Sequence, residues 1–265
     1  MLDRAKALKG YALNGRDGQM GSVKEFLFDD QHWGVRYLVA DTGGWLTGRQ
    51  VLISPYALHA VNRAARTIAV DLTRQQITDS PSLSSHEPVS RQFEETYYGY
   101  FGWPVYWMGP YLWGMSPSIE PDRTLSPITD PTAKAWDSHL RSTDDVTGHH
   151  LRAADGEIGH VADFIVDEDA WAIRYLVVDT QNWWPGRKVL VSPRWIERIS
   201  WSDATVVVGL TREAIRQSPE YTDKSLLTRD DETRLHQHYG QQGYWMDESA
   251  AQSTPAEAGT RSKPQ

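Results

Sequence analysis

Along the first eighty residues, apolar and polar positions alternate with the period of β-strands. Lys9–Leu13 reads as a first strand, closed by the turn Asn14–Gly18, whose Asn-Gly and Asp-Gly pairs reach positive φ at little cost. In Met20–Asp29, Val23, Glu25 and Leu27 alternate with Lys24, Phe26 and Phe28, which predicts a long strand, bent or bulged. Val35–Asp41 is apolar on both faces and reads as a buried strand. A Gly- and Trp-containing loop, Thr42–Gly48, leads to a strand over Arg49–Ser54 that Pro55 ends, and Leu58–Asn62 with Thr67–Leu72 forms a last hairpin. Thr73 is placed to cap a short helix running to about Thr78. The connections are short, which predicts an antiparallel barrel. Val89–Gly99 is polar with interspersed aromatics and reads as helical, and an aromatic arm, Tyr100–Trp107, follows it.

The same pattern occurs twice. Shifted by 138 positions, the chain matches itself without a gap: Asp17-Gly18 falls on Asp155-Gly156, and Trp33 and Arg36-Tyr37-Leu38-Val39 fall on Trp171 and Arg174-Tyr175-Leu176-Val177. Val51-Leu52 and Ser54-Pro55 fall on Val189-Leu190 and Ser192-Pro193, and Tyr106-Trp107-Met108 falls on Tyr244-Trp245-Met246. A duplicated unit spanning 10–108 and 148–246 follows. The expected organisation is a first unit with its arm over 1–108, a Pro/Ser-rich linker over 109–147, a second unit over 148–246, and a disordered tail over 247–265. In the second copy Arg229–Tyr239 reads as the helix and Tyr239–Trp245 as the arm. Each arm either packs on its own unit or exchanges between units or chains.

Composition narrows the function. The formal charge of −8 and the absence of a basic excess, with 8 Lys/Arg against 10 Asp/Glu in the first unit and 11 against 15 in the second, do not suit non-specific attraction to nucleic acid. No cysteine is present, which removes disulfides, thiolate metal sites and cysteine nucleophiles. No apolar run approaches the ~18 residues of a membrane span, and no signal-peptide pattern opens the sequence, so a cytoplasmic location is expected. Twelve Trp and twelve Tyr against five Phe favour rings that meet water or a partner on one side.

Asp-Gly-x-x-Gly-x-Val at Asp17–Val23, the acidic turn at Asp29-Asp30, Arg36-Tyr-Leu-Val39 and Val51-Leu-Ile-Ser-Pro55 resemble the PRC-barrel domain, a family that includes the cytoplasmic part of the photosynthetic reaction-centre H subunit and the C-terminal domain of a ribosome maturation factor. The resemblance covers 10–81 and 148–219. It implies a small β-barrel used for docking or assembly, and it names no catalytic group.

Candidate chemistry is sparse. Asp17/Asp155, Asp29/Asp167 and Asp41/Asp179 recur in both copies, where carboxylates either hold a divalent cation or shape turns. Arg36, Asp41 and Arg49, with Arg174, Asp179 and Arg187, are candidates for an ion-pair network across strands. His149-His150 and His236-x-His238 lack counterparts in the other copy, and the helical reading of 229–239 puts His236 and His238 on different faces. Trp45, Trp183 and Trp184 on loops, with Trp103, Trp107, Tyr244 and Trp245 in the arms, form the candidate interaction surface. Phosphate loops and nucleophile elbows are absent. The sequence therefore predicts a mainly β protein of two tandem small antiparallel PRC-like barrels, each followed by short helices and an aromatic arm. The expected function is a non-catalytic binding or assembly module, without cofactor or metal, that engages a protein partner or itself. An RNA- or ribosome-associated factor and a metal-dependent hydrolase using the repeated aspartates are the alternatives.

Overall fold

The alternation in the glycine-led segment after the first turn produces one twelve-residue strand, and the sheet is organised around it. The computed structural model describes residues 1–47, 50–83, 88–116, 118–119, 139–180, 187–223 and 226–253. The first half contains β1 (Leu2–Arg4), α1 (Ala5–Leu8), β2 (Ala12–Gly15), the long β3 (Gly18–Asp29), β4 (Val35–Asp41), β5 (Val51–Ile53), β6 (Leu58–Asn62), β7 (Thr67–Val70), α2 (Arg74–Asp79) and α3 (Arg91–Phe101). The second contains β8 (Leu140–Ser142), α4 (Thr143–Val146), β9 (His150–Ala153), β10 (Gly156–Asp167), β11 (Ala172–Asp179), β12 (Lys188–Val191), β13 (Ile196–Ser200), β14 (Thr205–Val208), α5 (Arg212–Gln217), α6 (Arg229–His238) and α7 (Tyr244–Ser253).

Two seven-stranded sheets result, with orders β5-β4-β3-β2-β7-β6 and β12-β11-β10-β9-β14-β13 plus one further strand each. The antiparallel expectation is corrected at one pair per sheet, since β2·β7 and β9·β14 are parallel. A 3-10 turn at Pro55–Ala57, not a hairpin, joins β5 to β6, so the last hairpin brings β7 alongside β2 in the same direction. The path ends at β5 and β6, and among the described residues no pairing closes it into a ring.

The expected bulges are present. Lys24 is the extra residue of β3 against β4, and Ala162 occupies the same place in β10. Beside them the strands approach so closely that a Cβ on Gly21 would lie 2.1 Å from the Asp41 carbonyl oxygen, and one on Gly159 would lie 1.9 Å from that of Asp179. Thr73 closes a full capping box with Gln76 at the start of α2.

The seventh strand of each sheet comes from the other half. β3 pairs with β2 only as far as Ser22, which leaves the same edge bare toward Asp29. Leu140–Ser142, read from sequence as linker, pairs there: Leu27 with Ser142, Phe28 with Arg141 and Asp29 with Leu140. In the reciprocal exchange β1 pairs with β10, Leu2 opposite Asp167 and Arg4 opposite Ile165. An uncovered edge would expose unpaired N–H and C=O groups, and the exchange removes that liability.

At the centre, Trp33 and Trp171 both adopt positive φ, 60° and 49°. Val35 N–H donates to the Trp171 carbonyl at 2.7 Å, and Ile173 N–H donates to the Trp33 carbonyl at 2.8 Å. Such mutual contacts have the form of a two-fold interface, here made inside one chain. Phe28 stacks on Trp33 and meets Phe164, so one continuous apolar core runs through both halves. Ionic latches reinforce it. Arg63 bonds Asp3 at 3.0 Å and Glu168 at 2.6 Å, while Arg141 bonds Asp30 at 2.9 Å and lies over the Trp201 ring at 4.3 Å.

Because the exchanged strands and shared core leave no division between the halves, thermal unfolding is expected as one calorimetric transition; two resolved transitions would contradict the linkage. Arg63→Ala leaves Asp3 and the buried Glu168 without their cation. It should lower stability by about 1–3 kcal/mol, read as a reduced urea midpoint with the slope unchanged.

Candidate functional site

Arg36 shows how the sheet delivers a charged side chain to the interior. β4 pairs Tyr37 with Leu27 and Val35 with Phe28, so Arg36 is itself a bulge residue; Arg174 has the same position in β11. A bulge re-aims its side chain. Arg36 is fully buried and its Nε donates to Asp29 at 2.8 Å. Asp29 also accepts the backbone N–H groups of His32 and Gly34, at 2.6 and 3.1 Å, so one carboxylate organises the whole turn. Burial pushes the Asp29 carboxyl up, but Arg36 and the bonds from His32 outweigh it and hold the group well below the usual carboxylate range. Arg174 bonds Asp167 at 2.9 Å and Glu248 at 2.7 Å.

The aromatic arms close over these arginines. Tyr106 covers the Arg36 guanidinium at 3.9 Å, and Tyr244 covers that of Arg174 at 3.9 Å. Beneath each arm lies a carboxylate on a helix. Glu94 of α3 is completely buried and accepts from Tyr37 at 3.1 Å, Tyr106 at 2.6 Å and Arg91 at 2.9 Å, with His139 3.2 Å away. Glu232 of α6 takes Tyr175 at 2.9 Å and Arg229 at 2.9 Å. Burial, then Glu94, pushes the Tyr37 and Tyr106 hydroxyls up, so both remain protonated donors; burial likewise raises the Glu232 carboxyl. Carboxylates surrounded this fully act as anchors for the arms. Sequence reasoning missed Arg91/Arg229 and Glu94/Glu232, although both pairs keep the repeat spacing and that recurrence was the available signal.

A cleft of about 760 Å³ lies between the halves. Its lining combines Trp33, His32, Tyr111 and Leu112 from the first half with Arg174, Arg194, Arg198, Trp201, Tyr244, Asp247 and Glu248 from the second. Its volume lies in the range of ligand sites, roughly 300–1,000 Å³. Arg194 pairs with Asp247 at 2.5 Å. Beyond Leu112, Trp113 is buried with its Nε1–H donating to the Ala170 carbonyl at 2.9 Å, so the segment from the first arm crosses onto the second half.

The candidate surface residues separate on this geometry. Tyr244 lines the cleft. Trp103 stacks on Phe101 at 4.3 Å, Trp107 packs under Arg91 at 4.2 Å and Trp245 packs under Arg229 at 4.3 Å, so the arms lie on their own halves. Trp45 folds back, its indole N–H donating to the Met20 carbonyl at 2.7 Å. Trp183, Trp184 and Arg49 lie outside the described residues. The proposed ion-pair network is redrawn: Arg36 and Arg174 take Asp29 and Asp167, because the bulge turns them away from Asp41 and Asp179 at the far end of their strands. Asp41 accepts the Gly43 N–H at 3.0 Å, and Arg187 donates to the Arg216 carbonyl at 2.7 Å. Asp17 and Asp155 accept the first N–H groups of α2 and α5, so the repeated aspartates occupy three separate places in each half. His236 sits under Trp195 and Trp245, while His238 reaches the Ala214 carbonyl at 2.8 Å, and His149 packs on Trp201.

No protein-family model and no curated protein matches the chain.

Asp29→Asn leaves Arg36 buried without its counter-charge and should destabilise by about 3 kcal/mol at neutral pH. The Asp29 contribution is present above the unfolded carboxylate value of about 3.9 and is lost as pH falls below it. Urea midpoints for wild type and variant should therefore converge as pH falls below about 4; a gap that stays constant would show that the pair is not what the substitution removed.

Proposed function

We propose that the chain is a non-catalytic binding module, two PRC-type β domains joined face to face so that the cleft between them receives a protein or peptide partner. The observation that carries this reading is the cleft itself. It encloses about 760 Å³, it draws its walls from both halves, and it presents Trp33, Trp201 and Tyr111 beside Arg174, Arg194 and Arg198. Aromatic and arginine side chains around a concave centre are the composition of protein-recognition sites. The features shared by the two copies support a scaffold: the aspartates cap helices and organise turns, and the buried glutamates hold the arms. Among the described residues no helix is long and apolar enough to cross a membrane.

A photoreactive amino acid placed at Arg198, an exposed position on the cleft wall, should crosslink a protein partner in cells of the native host. The same probe at Gln75, exposed on α2, should not. Equal labelling from both positions, or none from Arg198, contradicts the assignment of the cleft as the binding surface.

A further inference from the structure

We propose that the open cleft is a seat for a tryptophan side chain carried on a partner's peptide, and that the protein's own Trp113 displays the binding mode. This deepens the binding reading above and rests on it.

Trp113 is 1% exposed. Its seat has three parts: the Ala170 carbonyl, which accepts the indole N–H at 2.9 Å; the Tyr56 ring, edge-on at 5.2 Å; and the Arg36 guanidinium, 4.8 Å from the indole. Carrying each residue across the 138-position repeat turns Ala170 into His32, Tyr56 into Arg194 and Arg36 into Arg174. All three of those residues line the open cleft. Among the described residues, the cleft is thus the counterpart of the seat that Trp113 fills.

The reason is local. After Met108 the first arm turns at Gly109, which has φ of 126°, and a Cβ there would lie 2.4 Å from the Gly114 carbonyl oxygen. That turn sends Tyr111, Leu112 and Trp113 across to the other half. The corresponding residue in the second copy is Asp247, which disfavours such a φ, and the chain continues instead as α7. Among the described residues, α7 meets this wall through Asp247 and Glu248, and no ring takes the place that Trp113 holds on the other side.

The lining selects the occupant. The Arg174 guanidinium suits the face of an electron-rich ring as Arg36 does in the filled seat, and an indole satisfies such a site best among the aromatics. Both arginines already hold carboxylates, Arg174 with Asp167 and Glu248 and Arg194 with Asp247, so an anionic group would compete with ligands in place while a neutral ring would not.

The intact chain would be titrated by NMR with an octapeptide copied from residues 109–116, Gly-Pro-Tyr-Leu-Trp-Gly-Met-Ser, and with its Trp→Ala form. The first should shift the backbone amides of His32, Ile196 and Arg198 at one site per chain, and the second should bind at least tenfold more weakly. Arg194→Tyr, which copies the Tyr56 side of the filled seat at an exposed position, should tighten the first peptide severalfold. If both peptides shift the cleft amides equally, the tryptophan seat is overturned while the cleft remains a peptide site. If neither peptide, nor any peptide selected on the chain from a displayed random library, shifts those amides, the seat and the binding reading fall together. Selected peptides that occupy the cleft without an essential tryptophan overturn the seat alone.

Discussion

The structure depends on an edge that one half cannot cover for itself. β3 and β10 are each twelve residues long, whereas the neighbouring β2 and β9 are four. The remaining length needs a hydrogen-bonding partner, and both halves obtain it from the three residues that precede the other or begin the chain. The consequence is topological. The short helices α1 and α4 follow their strands across, Lys6 N–H reaches Asp163 and the Phe26 N–H reaches the Thr143 hydroxyl, so each half is completed only in the presence of the other. The two halves are thereby interlocked through exchanged strands and one core instead of lying as two beads on a linker.

Within that body the deepest charges are paired, although Arg36 Nη1 is buried without a hydrogen-bond partner. The bulged arginines meet carboxylates on one side and arm tyrosines on the other, and the helix glutamates gather the hydroxyls of sheet and arm. Paired buried charges are expensive to disturb, which makes them devices for geometry more than sources of net stability. Here they set where each arm ends, and the end of each arm sets the wall of the cleft. The path from a one-residue irregularity in a strand to the wall of the cleft is short: bulge, arginine, tyrosine ring, cleft.

The two-fold pattern matters most where it is broken. The latches already differ in sign and kind, Arg63 between two carboxylates on one side and Arg141 between Asp30 and Trp201 on the other. Larger still is the divergence after Met108 and Met246, where a glycine turn follows on one side and a helix on the other.

What the chain determined locally was legible in advance. The period-two alternation placed the long strand and its bulge, the buried run Val35–Asp41 and the last hairpin, and Thr73 marked the start of α2, because strand faces and helix caps depend on neighbours within a few residues. The repeat was legible through recurrence alone. The exchanged strands were not: Leu2–Arg4 and Leu140–Ser142 are too short to show a period and share only their leucine, so their pairing rests on an edge offered by residues more than a hundred positions away. The partner of Arg36 was misread for a related reason, since the bulge that aims it is a property of two strands in register. The seat of Trp113 required a further level, the contact of an arm with the opposite half, and that was decided only when the shared core brought the two sheets together.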